Sequence, residues 1–358
     1  MARIYMDHAA TTPTDSRVVE AMQPYFSKVY GNPSGFHSFS REARNAVTEA
    51  RDKVASLIGA DKSGEVIFTS GGTEADNFAI KGTVEALKEE GSHIITSSIE
   101  HHAVLHTCEY LEEERGFDVT YLEVDEDGKV DPGAVEEAIR EDTILITIML
   151  ANNEVGTIQP IGEIGEIADR EGVTFHTDAV QAVGNIPVDV NDLNVDLLSL
   201  SGHKFYAPKG IGALYVRSGT KINKYLHGGA QERNRRATTE NVPGIVGLGK
   251  AAELAEENLP DKVERMTRLR DKLIAGIEAE IDHVYFNGSR TDRLPGNVNF
   301  CIEYIEGESI LMKLDLEGIA ASSGSACTSG CSTGSASSSG PVGSGSSSSP
   351  AVSASSVH

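Results

Sequence analysis

Three groups in this sequence could together hold one cofactor. Lys204 stands in the string SGHK after an apolar run, where its amine could form a Schiff base. Asp178 ends the strand-like run VTFHTD, and its carboxylate could pair with a pyridinium nitrogen. The glycine turn at 71–72 opens a helix near Thr73, where free backbone N–H groups favour an anion. Because pyridoxal phosphate requires an amine, a carboxylate and a phosphate cradle, the sequence predicts a site for this cofactor.

Each group also has a structural interpretation. Thr73 could be an ordinary helix N-cap, Asp178 could cap a helix that starts after its strand, and most lysines lie on the surface. Gln181, one helical turn beyond Asp178, could donate to a ring hydroxyl. The cofactor interpretation is favoured because the glycine turn, the acid, the amide and SGHK each end a predicted strand, in that order.

Three further residues are candidates for the same site. His101 follows the strand HIITSSI and could stack on an aromatic cofactor, or belong to a surface histidine pair. Asn153 follows TILITIML and could hold a ring oxygen or a substrate carboxylate, or form an Asx turn before Gly156. Cys327 ends the small-residue loop SSGSAC, which suits a mobile thiol, although a chance cysteine remains the alternative.

The elements that must position these residues follow a strand–helix alternation. A short N-terminal strand and an amphipathic helix over 40–58 come first. Apolar strands separated by helices predict an α/β fold whose mainly parallel sheet is covered on both faces. The predicted strands are EVIFT, HIITSS, VTYLEV, TILITIML, VTFHT, VDLLSLS and IGALYV.

From about Pro243 the pattern changes to two long charged helices followed by NVNFCIEY and another helix, which predicts a second, smaller lobe. We predict a large domain over 15–250 and a small α/β domain formed by 1–14 and 251–330. From Cys331 the chain is mostly serine, glycine and alanine, which cannot bury enough apolar surface to offset its ordering entropy. We therefore predict a disordered tail over 331–358.

The composition excludes several function classes. The chain has 358 residues, with 31 basic against 54 acidic side chains and a net charge of −23, which argues against nucleic acid as a partner. The absence of a long apolar stretch and of a signal-peptide pattern predicts no membrane association and a cytoplasmic location. The four cysteines are too scattered for a disulfide framework, and Cys327 and Cys331 are a weak metal signal, so no metal is predicted.

The sequence resembles the cysteine desulfurases, pyridoxal phosphate enzymes that supply sulfur for iron–sulfur cluster assembly. The resemblance covers most of the chain up to Gly330 and implies a fold type I transferase. It rests on YMDHAATTP, GNPSGFH, TSGGTEADN, EHHAV, ANNEVG, HTDAVQAVG, SGHKFYAPKGIG, GGAQER, TTENV and SSGSACTSG. The last of these resembles the branch with a long, mobile cysteine loop.

The resemblance implies a role for each candidate. Lys204 would carry the cofactor and remove the Cα proton of L-cysteine, and Cys327 would take the sulfur as a persulfide and release L-alanine. Thr239 would reach the phosphate of a neighbouring subunit, which implies a homodimer, and an iron–sulfur scaffold protein or another acceptor would receive the sulfur. The implied cofactor contacts are Gly72, Thr73, His101, Asn153, Asp178, Gln181, Ser201, His203, Lys204 and Thr239.

Two departures from the family pattern affect these expectations. Thr238 stands where relatives usually have glycine, so this loop is expected to be strained. The last arginine is Arg293, whereas the family supplies a substrate-binding arginine after the cysteine loop. We hypothesise a shifted reading frame or an unrelated fusion at the tail. The alternatives to desulfurase activity are a selenocysteine lyase, a related aminotransferase or lyase, or a catalytically impaired cofactor-binding protein.

Overall fold

The computed structural model describes residues 3–323 and, for the backbone alone, residues 352–355. The first strand, β1 (Ile4–Tyr5), lies outside the central sheet. The central sheet has seven strands: β2 (Val66–Thr69), β3 (His93–Ser97), β4 (Asp118–Leu122), β5 (Thr143–Thr147), β6 (Thr174–Asp178), β7 (Leu197–Ser201) and β8 (Gly212–Val216). All seven confirm a strand predicted from the apolar runs.

The strand order in this sheet is β2-β8-β7-β6-β5-β3-β4. The pairs from β4 to β7 are parallel, and β8 runs antiparallel to both β7 and β2. Because two antiparallel steps restore the direction, β2 ends at the same edge of the sheet as β7. The carboxyl ends of six strands therefore meet at one edge, where parallel sheets bind ligands.

Helices cover both faces of the sheet. They are α1 (Ser16–Met22), α2 (Pro24–Ser27), α3 (Ser38–Leu57), α4 (Gly72–Leu87), α5 (His102–Arg115), α6 (Pro132–Ala138), α7 (Ile161–Glu171), α8 (Gln231–Asn234), α9 (Val242–Glu280) and α10 (Gly307–Leu316). On one face α3 packs with the long helix α9, and on the other α4 and α5 form a separate apolar layer. Neighbouring residues of a strand point to opposite layers, as Ile94 and Ile95 of β3 do.

One long helix replaces the two that the sequence predicts after about residue 243. Helix α9 is 39 residues long and continues through Pro260. A proline inside a helix costs about 3 kcal/mol, because it removes a hydrogen bond and clashes with the preceding turn. Packing offsets this cost on both sides: the first half of α9 lies against α3 and α1, and Ile274 in the second half packs with Val298 and Phe300.

The remaining strands form two small sheets. They are β9 (Val284–Phe286), β10 (Asn297–Ile302), β11 (Ile319–Ala320), β12 (Ser322–Ser323) and β13 (Val352–Ser355). Strand β1 pairs in parallel with β11, which joins the start of the chain to the region after residue 250. The division into domains over 15–250 and over 1–14 with 251–330 stays a prediction, since α9 crosses residue 250 without a break.

The predicted disordered tail over 331–358 stays a prediction. Within it the structure describes one strand, because Val352–Ser355 form β13, which pairs antiparallel with β10 and β12. Such pairing supplies backbone hydrogen bonds that do not depend on the burial of apolar side chains. The rest of the predicted tail lies outside the described residues. None of the helices in the described part of the chain has both the length and the apolarity to cross a membrane.

The contact between α3 and α9 yields a stability prediction. A Cβ atom added at Gly249 would lie 2.6 Å from the Cα of Ala50, so the helices could not keep their spacing. We expect Gly249→Ala to lower the free energy of unfolding by about 1–2 kcal/mol through overpacking, measured by urea denaturation. The control is Gly276→Ala on the same helix, where nothing lies within 4 Å and alanine should stabilise by up to about 1 kcal/mol. Equal effects of the two variants would contradict the prediction.

Candidate active site

The loop after β2 and the ends of β6 and β7 lie side by side at the carboxyl edge of the sheet. A close approach at Gly212, the first residue of β8, makes this possible. A Cβ atom there would lie 2.8 Å from the Cα of Gly71, so a side chain would push the loop after β2 away from Ser201. Glycine at this position therefore brings the predicted cradle residues next to the turn that carries Lys204.

The amine of Lys204 lies inside the site. The residue ends a 3₁₀ turn, Gly202–Lys204, that begins directly after β7. Its Nζ donates to the carbonyl oxygen of Ala9, and to that of Ala10 at 3.0 Å. Burial lowers the pKa of Lys204, and the nearby Asp178 and Asp7 carboxylates oppose this shift. Desolvation thus favours the neutral amine, the form that can act as a nucleophile or a base.

Asp178 is a buried acid at the end of β6. It is 5% exposed, and its Oδ1 accepts a hydrogen bond from the backbone N–H of Val180 at 2.9 Å. This contact is that of an Asx turn. The structural interpretation of Asp178 as a helix cap is not supported, because no helix lies between β6 and β7. Burial raises the pKa of Asp178, while the N–H of Val180 and the charges of His101 and Lys204 oppose the rise. A cation beside this carboxylate would offset its desolvation.

Gln181 and His101 border the same acid. Gln181 is buried, and its Nε2 donates to the carbonyl oxygen of Ala9 at 3.0 Å, the same oxygen that Lys204 contacts. His101 is the N-cap of α5, where its Nδ1 accepts from the N–H of Ala103 at 3.1 Å. Desolvation lowers the pKa of His101, so the ring is favoured in its neutral form.

Polar atoms of Asp76, His101 and Asp178 lie within 4.8 Å of one another. Two carboxylates and an imidazole at this spacing could also hold a metal ion, and the sequence prediction of no metal stays a prediction. Asp76 lies in the second turn of α4, away from any strand end, and the sequence analysis did not find it.

One pocket of the site is lined by Gln181, Lys204 and Lys262, among other residues, and a second pocket lies at the start of α4. Its lining includes Gly71, Gly72, Thr73, Ser201, His203 and Thr11. No side chain caps this helix, and its N-cap is Gly71, so the interpretation of Thr73 as an N-cap is not supported. Burial, with lesser contributions from Lys204 and Lys209, lowers the pKa of His203 to about 4, so its ring is neutral at pH 7. Helix N–H groups, hydroxyls and a neutral imidazole form a donor set that suits a phosphate.

The N-terminal loop forms hydrogen bonds with the turn that carries Lys204. No separate role for this loop was predicted from the sequence. Thr12 donates from Oγ1 to the carbonyl oxygen of His203 at 2.9 Å and accepts from the N–H of Tyr206 at 2.8 Å. The hydroxyl of Thr11 lies 3.1 Å from Nδ1 of His203. The motif DHAATTP was part of the resemblance, and its run of hydroxyls was the available signal.

Two of the predicted site residues, Asn153 and Thr239, lie in the described structure but make none of the contacts described above. Asn153 is half-buried after β5, and the Asx turn there is made by Asn152, whose Oδ1 accepts from Glu154 and Val155 at 2.9 Å. Thr239 is exposed, in a loop that lines neither pocket. Cys327 lies outside the described residues.

The loop over 228–239 is strained, as the glycine-to-threonine departure predicts. Thr238 has a φ of 150°, and a left-handed run at Glu232, Arg233 and Asn234 precedes it. Two ion pairs hold the loop. Glu232 accepts from Arg51 at 2.6 and 2.9 Å in a buried bidentate pair, and Arg236 donates to Glu74 of α4 at 2.7 and 2.9 Å. The second pair links this loop to the proposed phosphate cradle.

Comparison with known proteins agrees with this geometry. The sequence profile described as Aminotransferase class-V matches residues 4–339. A protein of Dictyoglomus turgidum named cysteine desulfurase IscS is 58% identical over 91% of this chain and 82% of its own length, and one of Methanosarcina thermophila with the same name is 58% identical over 91% and 80%.

Solved structures agree as well. A NifS-like protein has a TM-score of 0.87 at 40% identity over 90% of this chain and 87% of its own. A structure described as SspA in complex with cysteine has a TM-score of 0.79 at 42% identity over 90% of each chain. The chain therefore belongs to the class V aminotransferase family and, within it, to the cysteine desulfurases. The expected α/β fold of a fold type I pyridoxal phosphate enzyme is confirmed.

The strain at Thr238 can be measured. A β-branched residue at positive φ costs about 1 kcal/mol or more, so we expect Thr238→Gly to raise the free energy of unfolding by about 1 kcal/mol. The control is Thr239→Gly, at the next, exposed residue. Thr239 does not have a positive φ, so glycine relieves no strain there, and the free energy of unfolding should fall slightly because the unfolded chain gains entropy. Urea denaturation of both variants is the measurement. A loss of stability in Thr238→Gly would show that the loop is not strained there.

Proposed function

We propose that this chain is a cysteine desulfurase that uses pyridoxal phosphate, takes sulfur from L-cysteine and releases L-alanine. The observation that carries the proposal is the meeting of an amine and an acid at one sheet edge. Lys204, whose pKa is lowered, and Asp178, whose pKa is raised, are close enough for each charge to act on the other. Relatives that are 58% identical and named cysteine desulfurase support the same activity.

The residues present fit this cofactor. Asp178 is a buried acid whose desolvation a protonated ring nitrogen would offset. The start of α4 lacks a side-chain cap, so its N–H groups are available to the phosphate, with Ser201 and His203 at the same pocket. Gln181 would donate to the ring hydroxyl, His101 would stack on the ring, and Asn153 would lie beside ring and substrate. When bound, the cofactor supplies an electron sink for the carbanion at Cα.

The chain's own residues then move the proton and hold the charge. Lys204 would hold the cofactor through Nζ, and its lowered pKa would suit the free amine to take the Cα proton of the substrate. Asp178 keeps its negative charge beside the ring nitrogen. The N-terminal loop fixes the Lys204 turn through Thr12, so the amine returns to the same place after each turnover.

Sulfur transfer requires a thiol, and we assign it to Cys327. In the net reaction the thiol of L-cysteine and the thiol of Cys327 give L-alanine and a persulfide on Cys327. One C–S bond breaks, one S–S bond forms, and the proton of the enzyme thiol balances the new C–H bond of alanine. A second protein, such as an iron–sulfur scaffold, then accepts the terminal sulfur.

We also propose a homodimer and a cytoplasmic location. Thr239 is exposed in its own chain, which leaves it available to the phosphate pocket of a second copy. The loop that carries Thr239 is tied to α4 through Arg236 and Glu74, so each subunit would order the loop that serves its partner. The family resemblance supports this arrangement.

Activity and cofactor attachment test the proposal. The purified chain, supplied with pyridoxal phosphate, should release alanine and sulfide in equal amounts from L-cysteine and a reductant. Lys204→Ala should remove the visible absorbance of the bound cofactor and lower turnover by at least about 10²-fold, because the base is lost. The control is Lys221→Ala, which changes an exposed lysine that lines neither pocket and should keep both signals. Retained absorbance in Lys204→Ala would refute the assignment.

The sulfur acceptor is tested separately. Cys327→Ser should keep the visible absorbance of the cofactor, since the thiol plays no part in binding it, and should not form a labelled persulfide with ³⁵S-cysteine. The control is Cys331→Ser, four residues further along the same segment, which should label as the wild type does. Label that persists in Cys327→Ser would move the role to another cysteine.

A further inference from the structure

Three carboxyl groups share one buried region around Asp178. Asp76 is 1% exposed, and Glu100 and Asp178 are each 5% exposed. A polar atom of Asp76 lies within 4.8 Å of one from Asp178, and the charge of Asp178 acts on both other acids. Three negative charges in this space would repel one another with little water to screen them.

Only one of the three acids has a lysine beside it, because the charge of Lys204 favours the ionised form of Asp178. Among the described residues, Asp76 and Glu100 form no ion pair with a lysine or an arginine. Two imidazoles lie near Asp76: a nitrogen of His101 lies within 4.8 Å of one of its oxygens, and Nε2 of His176 lies 3.8 Å from Oδ1.

His176 does not supply a positive charge. It is fully buried, and burial lowers its pKa to about 3. Its Nδ1 lies 2.8 Å from the hydroxyl of Thr147, and its Nε2 lies 2.9 Å from the hydroxyl of Ser199, so two hydroxyls already satisfy a neutral ring. Desolvation lowers the pKa of His101 as well, so neither imidazole is favoured as a charged partner for Asp76.

The hydrogen bonds of the other two acids match this picture. Glu100 accepts at Oε1 from the hydroxyl of Ser97 at 2.6 Å and from the N–H of Met149 at 2.9 Å, whereas its Oε2 is buried without a hydrogen-bond partner. Oδ1 of Asp76 is likewise buried without a partner. An ionised carboxylate with an unsatisfied buried oxygen is costly, and a proton on each acid removes that charge.

We propose that Asp76 and Glu100 are positioning residues that stay protonated, so that the single negative charge of this cluster resides on Asp178, the acid assigned to the ring nitrogen. The proposal rests on the proposed function, because it assigns the purpose of that charge to the bound cofactor. A second charge beside Asp178 would compete with it for the ring proton and raise the cost of keeping Asp178 ionised. The directions of the pKa shifts agree: burial, first, and the charge of Asp178 raise the pKa of Asp76, and burial raises that of Glu100 to about 8.

Infrared difference spectroscopy of the holoenzyme tests the protonation state without using activity. At pH 7 the wild type should show the carbonyl stretch of protonated carboxylic acids. Asp76→Asn and Glu100→Gln should each remove one component, whereas Asp178→Asn should remove none. A spectrum of the folded wild type without such a stretch would overturn the proposal, even if no variant folds.

A second readout is the pH dependence of stability. Glu100 ionises near pH 4.5 in the unfolded chain and near pH 8 in the folded one, so the unfolded state binds fewer protons between these values. The contribution of Glu100 to the free energy of unfolding should therefore fall as the pH rises from 4.5 to about 8. Glu100→Gln has no such proton. The urea midpoint of the variant minus that of the wild type should therefore increase as the pH rises from 4.5 to about 8. A constant difference between the two would contradict the proposal.

The affinity of variants for pyridoxal phosphate shows whether the acid at position 76 is neutral or ionised. Asparagine resembles a protonated aspartic acid, so Asp76→Asn should bind pyridoxal phosphate within about threefold of the wild type. Asp178→Asn should bind it at least about tenfold more weakly, because the charge beside the ring nitrogen is lost. Equal weakening in both variants would show that Asp76 carries charge.

If the chain lacks desulfurase activity but shows the infrared bands, the proposed function fails and the protonation assignment stands.

Discussion

The electrostatic relation between Lys204 and Asp178 is the constraint on which the rest of the site depends. Each group is desolvated, and burial alone drives both toward their neutral forms. Each charge also favours the other, so neither is pushed as far as it would be alone. This balance leaves an amine that can lose its proton easily and an acid that gains most from a cationic ring nitrogen. The site is therefore best satisfied with its cofactor bound.

The sheet makes this balance possible. Parallel strands place Asp178 and Ser201 at one edge, and the double antiparallel step through β8 brings the loop after β2 to the same place. Gly212 allows the close approach, and the N-terminal loop closes over the Lys204 turn through Thr12. The apolar layers on both faces exclude water from beneath the site, which lowers the local dielectric and strengthens each charge effect.

The central sheet and most of its helices could be predicted from the sequence, because its strands are short apolar runs between polar turns. Residues at strand ends, such as Asp178 and Lys204, could be found for the same reason. Asp76 could not, since it lies within α4, where a single acid has no distinctive spacing. The continuity of α9 through Pro260 was also out of reach, because it depends on packing against elements far away in the chain. Strand β13 depends on pairing with a distant partner in the same way.

The central claim is that the cofactor is attached to Lys204, and chemical trapping tests it most directly. Borohydride reduction of the holoenzyme, followed by peptide mass mapping, should locate the phosphopyridoxyl group on the peptide that contains Lys204. Lys209 and Lys262 line the two neighbouring pockets and provide internal controls that should remain unmodified. A modification on either of them, or none at Lys204, would contradict the account.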